Sequence, residues 1–297
     1  METKSQVVVI KSVQGFADRL RTLNQALLYC LRYSAVLCVD WEDDTWGVPF
    51  DDIFGLVGVP YIHKKKVLGM LEHKKDPAKC RWTPKEVKMN LSRLIVRDPK
   101  FKTMEYCGGY CATDDDVRMN NPPPVEEVIV SNGYGRCLNE YKLLVGTLRF
   151  KPEVRDAIIG KLATMPERYA MVHLRGTDRS HSGFLKSMMD GVRKLDLPPV
   201  FVIGDNIEMI DEWLREFPTH REFRPESSIR KLGNAVSHTM SATELAKVGL
   251  TKRDMHIETL IDFFGLIKAD ERIGMKESYF FDTACRLGEV YWEAMLI

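Results

Sequence analysis

The stretch Tyr169–Ser180, which reads Tyr-Ala-Met-Val-His-Leu-Arg-Gly-Thr-Asp-Arg-Ser, places a short apolar run directly before a group of charged side chains. An apolar run that stops at a Gly-Thr-Asp turn is typical of a buried β-strand. In open α/β sheets, ligands bind at the carboxyl ends of the strands. The stretch therefore predicts a parallel α/β sheet with a ligand site where this strand ends.

The polar residues at this strand end have the chemistry of a phosphate site. Arg175 and Arg179 offer planar, permanently charged guanidinium groups, and His173 adds a donor whose charge can be adjusted. A simpler alternative is an ion pair between Arg175 and Asp178 that only holds the turn. Because all four residues fall between positions 173 and 179, we favour the phosphate site.

His173-x-Arg175-x-x-Asp178 resembles the first motif of the fucosyltransferase superfamily that contains α1,6-fucosyltransferases, bacterial nodulation fucosyltransferases and protein O-fucosyltransferases. Two further segments resemble the same superfamily. The segment from Gln14 to Asp18, followed by a helix and a strand ending in Asp40-Trp41, is similar to the opening of the nodulation-type enzymes. Asp262 and the later Ser-x-Phe element at 278–280 resemble the third motif.

The resemblance covers residues 7–41 and about 148–292, and it implies a GT-B-like α/β fold with two Rossmann-like domains whose parallel sheets face a central cleft. The expected domains are an N-terminal acceptor-side domain at 1–147, with an insertion at about 49–121, and a nucleotide-sugar-binding domain at 148–297. Independently of the resemblance, the alternation of strand and helix patterns after residue 148 favours a doubly wound parallel sheet.

As to function, the resemblance implies an inverting, metal-independent glycosyltransferase that transfers L-fucose from GDP-fucose to a glycan hydroxyl, with no further cofactor. Arg175 is expected to stabilise the charge of the leaving diphosphate. The residues expected to bind the substrate are Gly15, Phe16, Arg19, His173, Gly176, Asp178, Arg179, Asp205, Asp262, Ser278, Tyr279 and Phe280.

Several of these residues have a structural alternative. An acid in the first turn of a helix, as predicted for Asp18, is stabilised by the helix dipole. Asp205 could cap the helix that follows it, and Ser278 could act as an N-cap, as a phosphate ligand, or as both. Asp262 interrupts an apolar helix, and a buried carboxylate needs a partner, which the base or ribose of a nucleotide could supply.

The sequence departs from the family pattern at two places. Gly176 stands where the core α1,6-type enzymes have a second arginine. The catalytic glutamate of those enzymes is not evident in the loop 180–183, so Asp18 and His181 are the two candidates for the catalytic base. Two other functions stay open: a GT-B enzyme that uses another nucleotide sugar, such as a xylosyl- or rhamnosyltransferase, and a non-catalytic nucleotide- or sugar-binding module.

Composition limits the partners. The 297-residue chain has a net charge of +1, which gives no general attraction to nucleic acid or to an anionic membrane. The amino terminus has no signal-peptide pattern, and no apolar run approaches the ~20 residues that span a bilayer. We therefore expect a cytoplasmic protein without an integral membrane segment, whose partners are a nucleotide sugar and a glycan or glycoconjugate acceptor.

Hydrophobic periodicity predicts the main elements. The predicted helix that ends near Tyr33 should bury Leu20, Leu23, Leu27, Leu28 and Leu31. The predicted strands are 7–10, 36–41, 125–130, 169–174, 199–203 and 272–274, and the predicted helices are 17–33, one starting near 151, 184–194, 207–217, 254–269 and 278–292.

Overall fold

The computed structural model describes residues 6–11, 15–42, 46–72, 128–131, 141–176, 182–232 and 240–297. The chain forms two compact units, one of Met1–Lys151 together with Trp292–Ile297, and one of Pro152–Tyr291. The change of unit lies four residues beyond the expected boundary at 147/148, and the C-terminal residues return to the first unit.

The first unit contains a parallel sheet in the order β2-β1-β4, formed by β1 (Val7–Ile10), β2 (Val36–Val39) and β4 (Val128–Ser131). Val8 lies opposite both Leu37 and Ile129. Between β1 and β2, helix α1 (Phe16–Tyr33) packs on the sheet through leucines that have no exposed surface. Strand β2 ends before Asp40, two residues earlier than predicted.

The first unit also contains a short antiparallel pair of strands. β3 (Phe54–Leu56) pairs with β5 (Leu148–Phe150), which follows α3 (Lys142–Thr147). Phe54 packs among the rings of Trp41, Phe50 and Phe150. Residues 50–56 therefore belong to the core of this unit, although they fall within the expected insertion at 49–121. The remaining described elements of this unit are α2 (Lys64–Glu72) and the 3₁₀ segments Phe50–Asp52 and Trp292–Leu296.

The second unit contains a four-stranded parallel sheet in the order β8-β7-β6-β9. Its strands are β6 (Ala170–Leu174), β7 (Val200–Gly204), β8 (Arg221–Glu222) and β9 (Glu271–Gly274). Its helices are α4 (Pro152–Ala163), α5 (Ser182–Val192), α6 (Ile207–Glu216), α7 (Ser228–Leu232), α8 (Ala242–Ala246), α9 (Lys252–Lys268) and α10 (Tyr279–Leu287). The predicted α/β fold class with parallel sheets is confirmed.

Alternate residues of β6 point to opposite faces of this sheet, as the pleat of a strand requires. Ala170, Val172 and Leu174 pack with residues of α5 and α6. His173 contacts Phe280 and Phe281 of α10 on the other face. A side chain at Gly265 of α9 would meet Met171 and Phe223 on that same face. The sheet is thus covered by helices on both sides.

Three predictions about individual elements were wrong. Leu31 of α1 is 50% exposed, and Ile159, expected on the apolar face of α4, is 44% exposed. The last helix ends at Leu287 rather than at Trp292, and Gly288 follows at its C-cap. A side chain at 288 would collide with the Arg272 guanidinium, which donates hydrogen bonds to the last carbonyls of α9. Within the described residues, no helix is long and apolar enough to cross a membrane.

Candidate functional site

The carboxyl ends of β6 and β7 are joined by one carboxylate. Asp205 Oδ2 lies 2.8 Å from Arg175 Nη1, and Asp205 Oδ1 accepts a hydrogen bond of 2.6 Å from the backbone N–H of Gly176. Neither Arg175 nor Asp205 is fully buried, since their side chains are 23% and 14% exposed. A cationic fork is thus held at the strand edge, where α/β sheets bind their ligands.

The helix-capping alternative considered for Asp205 is not the one seen in the structure. Asn206, and not Asp205, caps α6, because its Oδ1 accepts a hydrogen bond from the Met209 N–H at 3.0 Å. Arg175 pairs with Asp205 on the neighbouring strand. Asp178 lies outside the described residues.

Gly176 allows the two strand ends to come this close. A Cβ atom at position 176 would lie 2.5 Å from Asn206 Cβ and 2.6 Å from Met209 Sδ. Because contacts this short do not occur in folded proteins, no larger residue fits without displacing the start of α6. The glycine at the place of the second family arginine is therefore required by the packing of this chain.

His173 lies on β6, two residues before Arg175, and is 5% exposed. Its ring stacks on Phe280, with ring centroids 5.2 Å apart. Burial lowers the pKa of His173 to about 4, with a further lowering by Arg175 that Asp205 opposes. The imidazole is therefore neutral near pH 7, and its Nδ1 has no hydrogen-bond partner among the described residues.

Ser278 occupies the N-cap position of α10, which follows β9. The residue is 6% exposed, and its side chain makes no capping hydrogen bond. The N-terminus of a helix carries a partial positive charge and presents free backbone N–H groups. Tyr279 in the first turn is 48% exposed, whereas Phe280 packs between His173 and Phe263.

Asp262 of α9 already has a partner within the protein. Arg224, which follows β8, donates from Nε and Nη2 to the two carboxylate oxygens of Asp262, each at 2.6 Å. The partner that a buried carboxylate requires is thus an arginine, and no ligand is needed to satisfy it. Sequence analysis did not single out Arg224, because it lies 38 positions from Asp262 and outside any motif.

The predicted residues of the first unit lie at the start of α1. Gly15 is the N-cap of this helix, and Phe16 is buried between the rings of Trp46 and Phe54. Asp18 lies in the first turn and is 8% exposed. Arg19 has no exposed surface, and its guanidinium lies 5.1 Å from the ring centroid of Trp46. The burial of Phe16 and Arg19 gives both a packing role in this unit.

The structure thus brings together His173, Arg175, Gly176, Asp205 and, through Phe280, the start of α10. Three predicted residues, Asp178, Arg179 and His181, lie outside the described residues. Over the described ranges, no three His, Cys, Asp or Glu side chains are grouped so that they could hold a metal ion.

No family model matches the sequence, and no curated protein matches it either. Solved structures do match. Fucosyltransferase NodZ from Bradyrhizobium matches with a TM-score of 0.63 and 19% identity, over 95% of this chain and 93% of that chain. NodZ alpha-1,6-fucosyltransferase soaked with GDP-fucose matches with a TM-score of 0.61 and 19% identity, over 96% of this chain and 93% of that chain.

A third match is POFUT1 in complex with GDP-fucose, with a TM-score of 0.50 and 12% identity over 95% of this chain and 94% of that chain. The chain has the fold of these fucosyltransferases. The structural neighbours therefore lie in the superfamily that the three sequence motifs resemble.

Proposed function

We propose that this protein is an inverting, metal-independent fucosyltransferase that takes L-fucose from GDP-fucose and transfers it to a glycan hydroxyl. The observation that carries the proposal is the Arg175–Asp205 pair at the adjoining carboxyl ends of β6 and β7, in a chain with the fucosyltransferase fold. The structural neighbours that were solved with GDP-fucose or GDP support this donor.

Arg175 stabilises the negative charge that develops on the diphosphate as the bond from the fucose anomeric carbon to the phosphate oxygen breaks. The guanidinium is 23% exposed, so phosphate oxygens can reach it while Asp205 holds one edge. A preorganised cation of this kind lowers the barrier without a metal ion.

Ser278 and the N-terminus of α10 provide a second set of phosphate donors. Because the Ser278 hydroxyl does not cap its own helix, it is available to a phosphate oxygen. His173, held neutral by burial and stacked on Phe280, contributes a ring N–H to the nucleotide. Because His173 is neutral, the positive charge of this site is that of Arg175 and the partial charge at the N-terminus of α10.

The acceptor hydroxyl loses its proton as its oxygen attacks the anomeric carbon, and GDP leaves from the opposite face, which inverts the configuration. We propose Asp18 and His181 as the two candidates for the base. The pH dependence of kcat/KM in Asp18→Asn and His181→Gln separates them, because only loss of the true base removes the corresponding limb of the profile.

The test is incubation with GDP-fucose in EDTA, with and without glycan acceptors, while released GDP and fucosylated product are measured. The expected result is GDP release that depends on Arg175 and is unchanged in the control variant Arg155→Ala, whose arginine lies on α4 and pairs with the neighbouring Asp156. GDP release that requires added magnesium would overturn metal independence. Turnover of a UDP- or TDP-sugar in place of GDP-fucose would overturn the proposed donor.

A further inference from the structure

Three charged side chains follow neighbouring parallel segments of the first unit. Lys11 comes directly after β1, and Asp40 comes directly after β2. Residues 60–62 run beside β2 in the same direction and lead into α2, which begins at Lys64. The three charged residues therefore lie side by side at the carboxyl edge of this sheet.

Asp40 binds both lysines through one oxygen. Its Oδ2 lies 2.8 Å from Lys11 Nζ and 2.8 Å from Lys64 Nζ. The side chains of Asp40 and Lys11 are 2% and 7% exposed, whereas that of Lys64 is 19% exposed. An ammonium group has three donors. Lys64, the more exposed of the two lysines, can therefore bind a second anion while Asp40 holds it in place.

The first turn of α2 adds further positive charge. Its first three residues are Lys64, Lys65 and Lys66, it contains no acid, and the last two lysines are exposed. The N-terminus of a helix carries a partial positive charge, which favours acidic side chains and disfavours lysines. Three lysines here conflict with this local preference, and conflicts of this kind are expected at functional sites.

The acids near this group do not offset all of its charge. Asp51 lies close enough to raise the pKa of the Cys38 thiol, which burial raises most and Asp40 raises as well. The Asp51 carboxylate accepts a hydrogen bond from the Tyr61 hydroxyl, which is 2.9 and 3.0 Å from its two oxygens. Asp40 and Asp51 together match only the two lysines that contact Asp40. The exposed lysines at 65 and 66 add positive charge beyond that.

Resting on the proposed function, we propose that Lys64, Lys65 and Lys66 bind an anionic substituent of the acceptor glycan, a sulfate or a uronate carboxylate. Open α/β sheets bind ligands outside the carboxyl ends of their strands, where the strand order reverses. In the first unit, β1 lies between β2 and β4 and marks this point. Lysine ammonium groups are compact charges on flexible stems, so they bind tetrahedral and planar anions alike.

The test is calorimetric titration at low ionic strength with three tetrasaccharides. A neutral N-acetyllactosamine tetrasaccharide is compared with its sulfated form, which has no carboxylate, and with a hyaluronan tetrasaccharide, which has carboxylates and no sulfate. Wild-type protein should bind one of the two anionic tetrasaccharides about tenfold or more tightly than the neutral one, since hydrogen bonds to charged groups are at stake. The tighter of the two identifies the anion. This preference should weaken as salt is added.

The variant that combines Lys64→Gln, Lys65→Gln and Lys66→Gln should lose the preference for the anionic tetrasaccharide. It leaves Asp40 paired with Lys11. The matched control combines Lys186→Gln, Lys194→Gln and Lys247→Gln, which removes the same charge from exposed positions of the second unit and should keep the preference. If the first variant fails to fold, Lys65→Gln with Lys66→Gln changes only exposed side chains and should still lower the preference.

A wild-type protein that binds GDP but binds all three tetrasaccharides equally would overturn this inference and leave the proposed function intact. The same holds for a preference that the control variant loses as fully as the lysine variant does, because the effect would then be one of overall charge. Absence of GDP binding by the wild-type protein would overturn the proposed function, and this inference with it.

Discussion

Arg175 and Asp205 form an ion pair of 2.8 Å between residues that end neighbouring strands. The same carboxylate accepts the Gly176 N–H, so that one side chain orients both the cation and the backbone that follows it. In the proposed enzyme, Asp205 keeps Arg175 at the strand edge until the diphosphate of the donor binds to the exposed part of its guanidinium.

Arg175→Ala should lower kcat by more than an order of magnitude, because loss of a charge partner of the transition state typically costs ~3 kcal/mol. Arg175→Lys should not restore activity, since one ammonium cannot bind Asp205 and a phosphate with the geometry of the fork. Steady-state kinetics with GDP-fucose measures both effects, with Arg155→Ala as the control. Near-wild-type turnover in Arg175→Ala would rule out the role of Arg175.

Gly176→Ala should destabilise the protein by about 1–3 kcal/mol, because the new methyl group overlaps Asn206 and Met209. Gly176→Arg should destabilise the protein more than Gly176→Ala does. A second arginine at this position therefore cannot take the place that it has in the core α1,6-type enzymes. Urea denaturation measures the change. Gly160→Ala is the matched control, since nothing lies within 4 Å of its new Cβ and the glycine is inside α4; that variant should be more stable by about 0.5–1 kcal/mol.

Acid should destabilise the protein partly through His173. The folded-state pKa is about 4 and the ordinary value is 6.5, so between these values the unfolded chain binds a proton that the folded chain does not. The contribution of neutral His173 to the free energy of unfolding is complete above pH 6.5. It is lost as the pH falls toward 4, which lowers the free energy of unfolding by ~3 kcal/mol in total.

Chemical denaturation at several pH values, for the wild type and for His173→Gln, measures this contribution. The wild type should lose more stability than the variant between pH 6.5 and pH 4.5. His220, whose pKa burial also lowers, is present in both proteins and cancels in the comparison. Parallel curves for the two proteins would show that His173 does not titrate in this way.

Ser278→Ala should weaken GDP binding by about tenfold, the typical effect of one lost hydrogen bond to a charged group. Its cost in stability should stay within a few tenths of a kcal/mol, because the hydroxyl makes no capping hydrogen bond. Thr251→Ala is the contrasting control. Its hydroxyl takes part in a capping box at the start of α9, so that variant should lose about 1 kcal/mol of stability and keep its affinity for GDP.

The elements that could be predicted from sequence are those with a strong local pattern. Val7–Ile10 is a continuous apolar run, and α1 and α9 repeat their apolar residues at helical spacing. The β3–β5 pair could not be predicted in this way, because each strand has three residues and the partners are separated by more than ninety positions of chain. Leu31 and Ile159 follow the helical period, yet they are 50% and 44% exposed, because helical spacing does not show which turns of a helix a neighbouring element covers.

Residues of the candidate site that belong to a sequence motif could be predicted. The side-chain partners of those residues could not, because the partners come from other strands of the sheet. Arg175 and Asp205 were both expected near the nucleotide, but their mutual ion pair depends on the order of β6 and β7 in the sheet. Asp262 was expected to be buried and in need of a partner. That partner is Arg224, which only the position of β8 brings to α9.

In the proposed enzyme, Arg175 anchors a guanine nucleotide without a metal ion. The most direct test is calorimetric titration of wild-type protein and Arg175→Ala with GDP, UDP and TDP in EDTA. We expect the wild type to bind GDP about tenfold or more tightly than UDP or TDP. Added magnesium should not change its affinity for GDP, and Arg175→Ala should lose most of that affinity. Equal GDP affinity in the wild type and in Arg175→Ala, or GDP binding only with magnesium, would contradict this expectation.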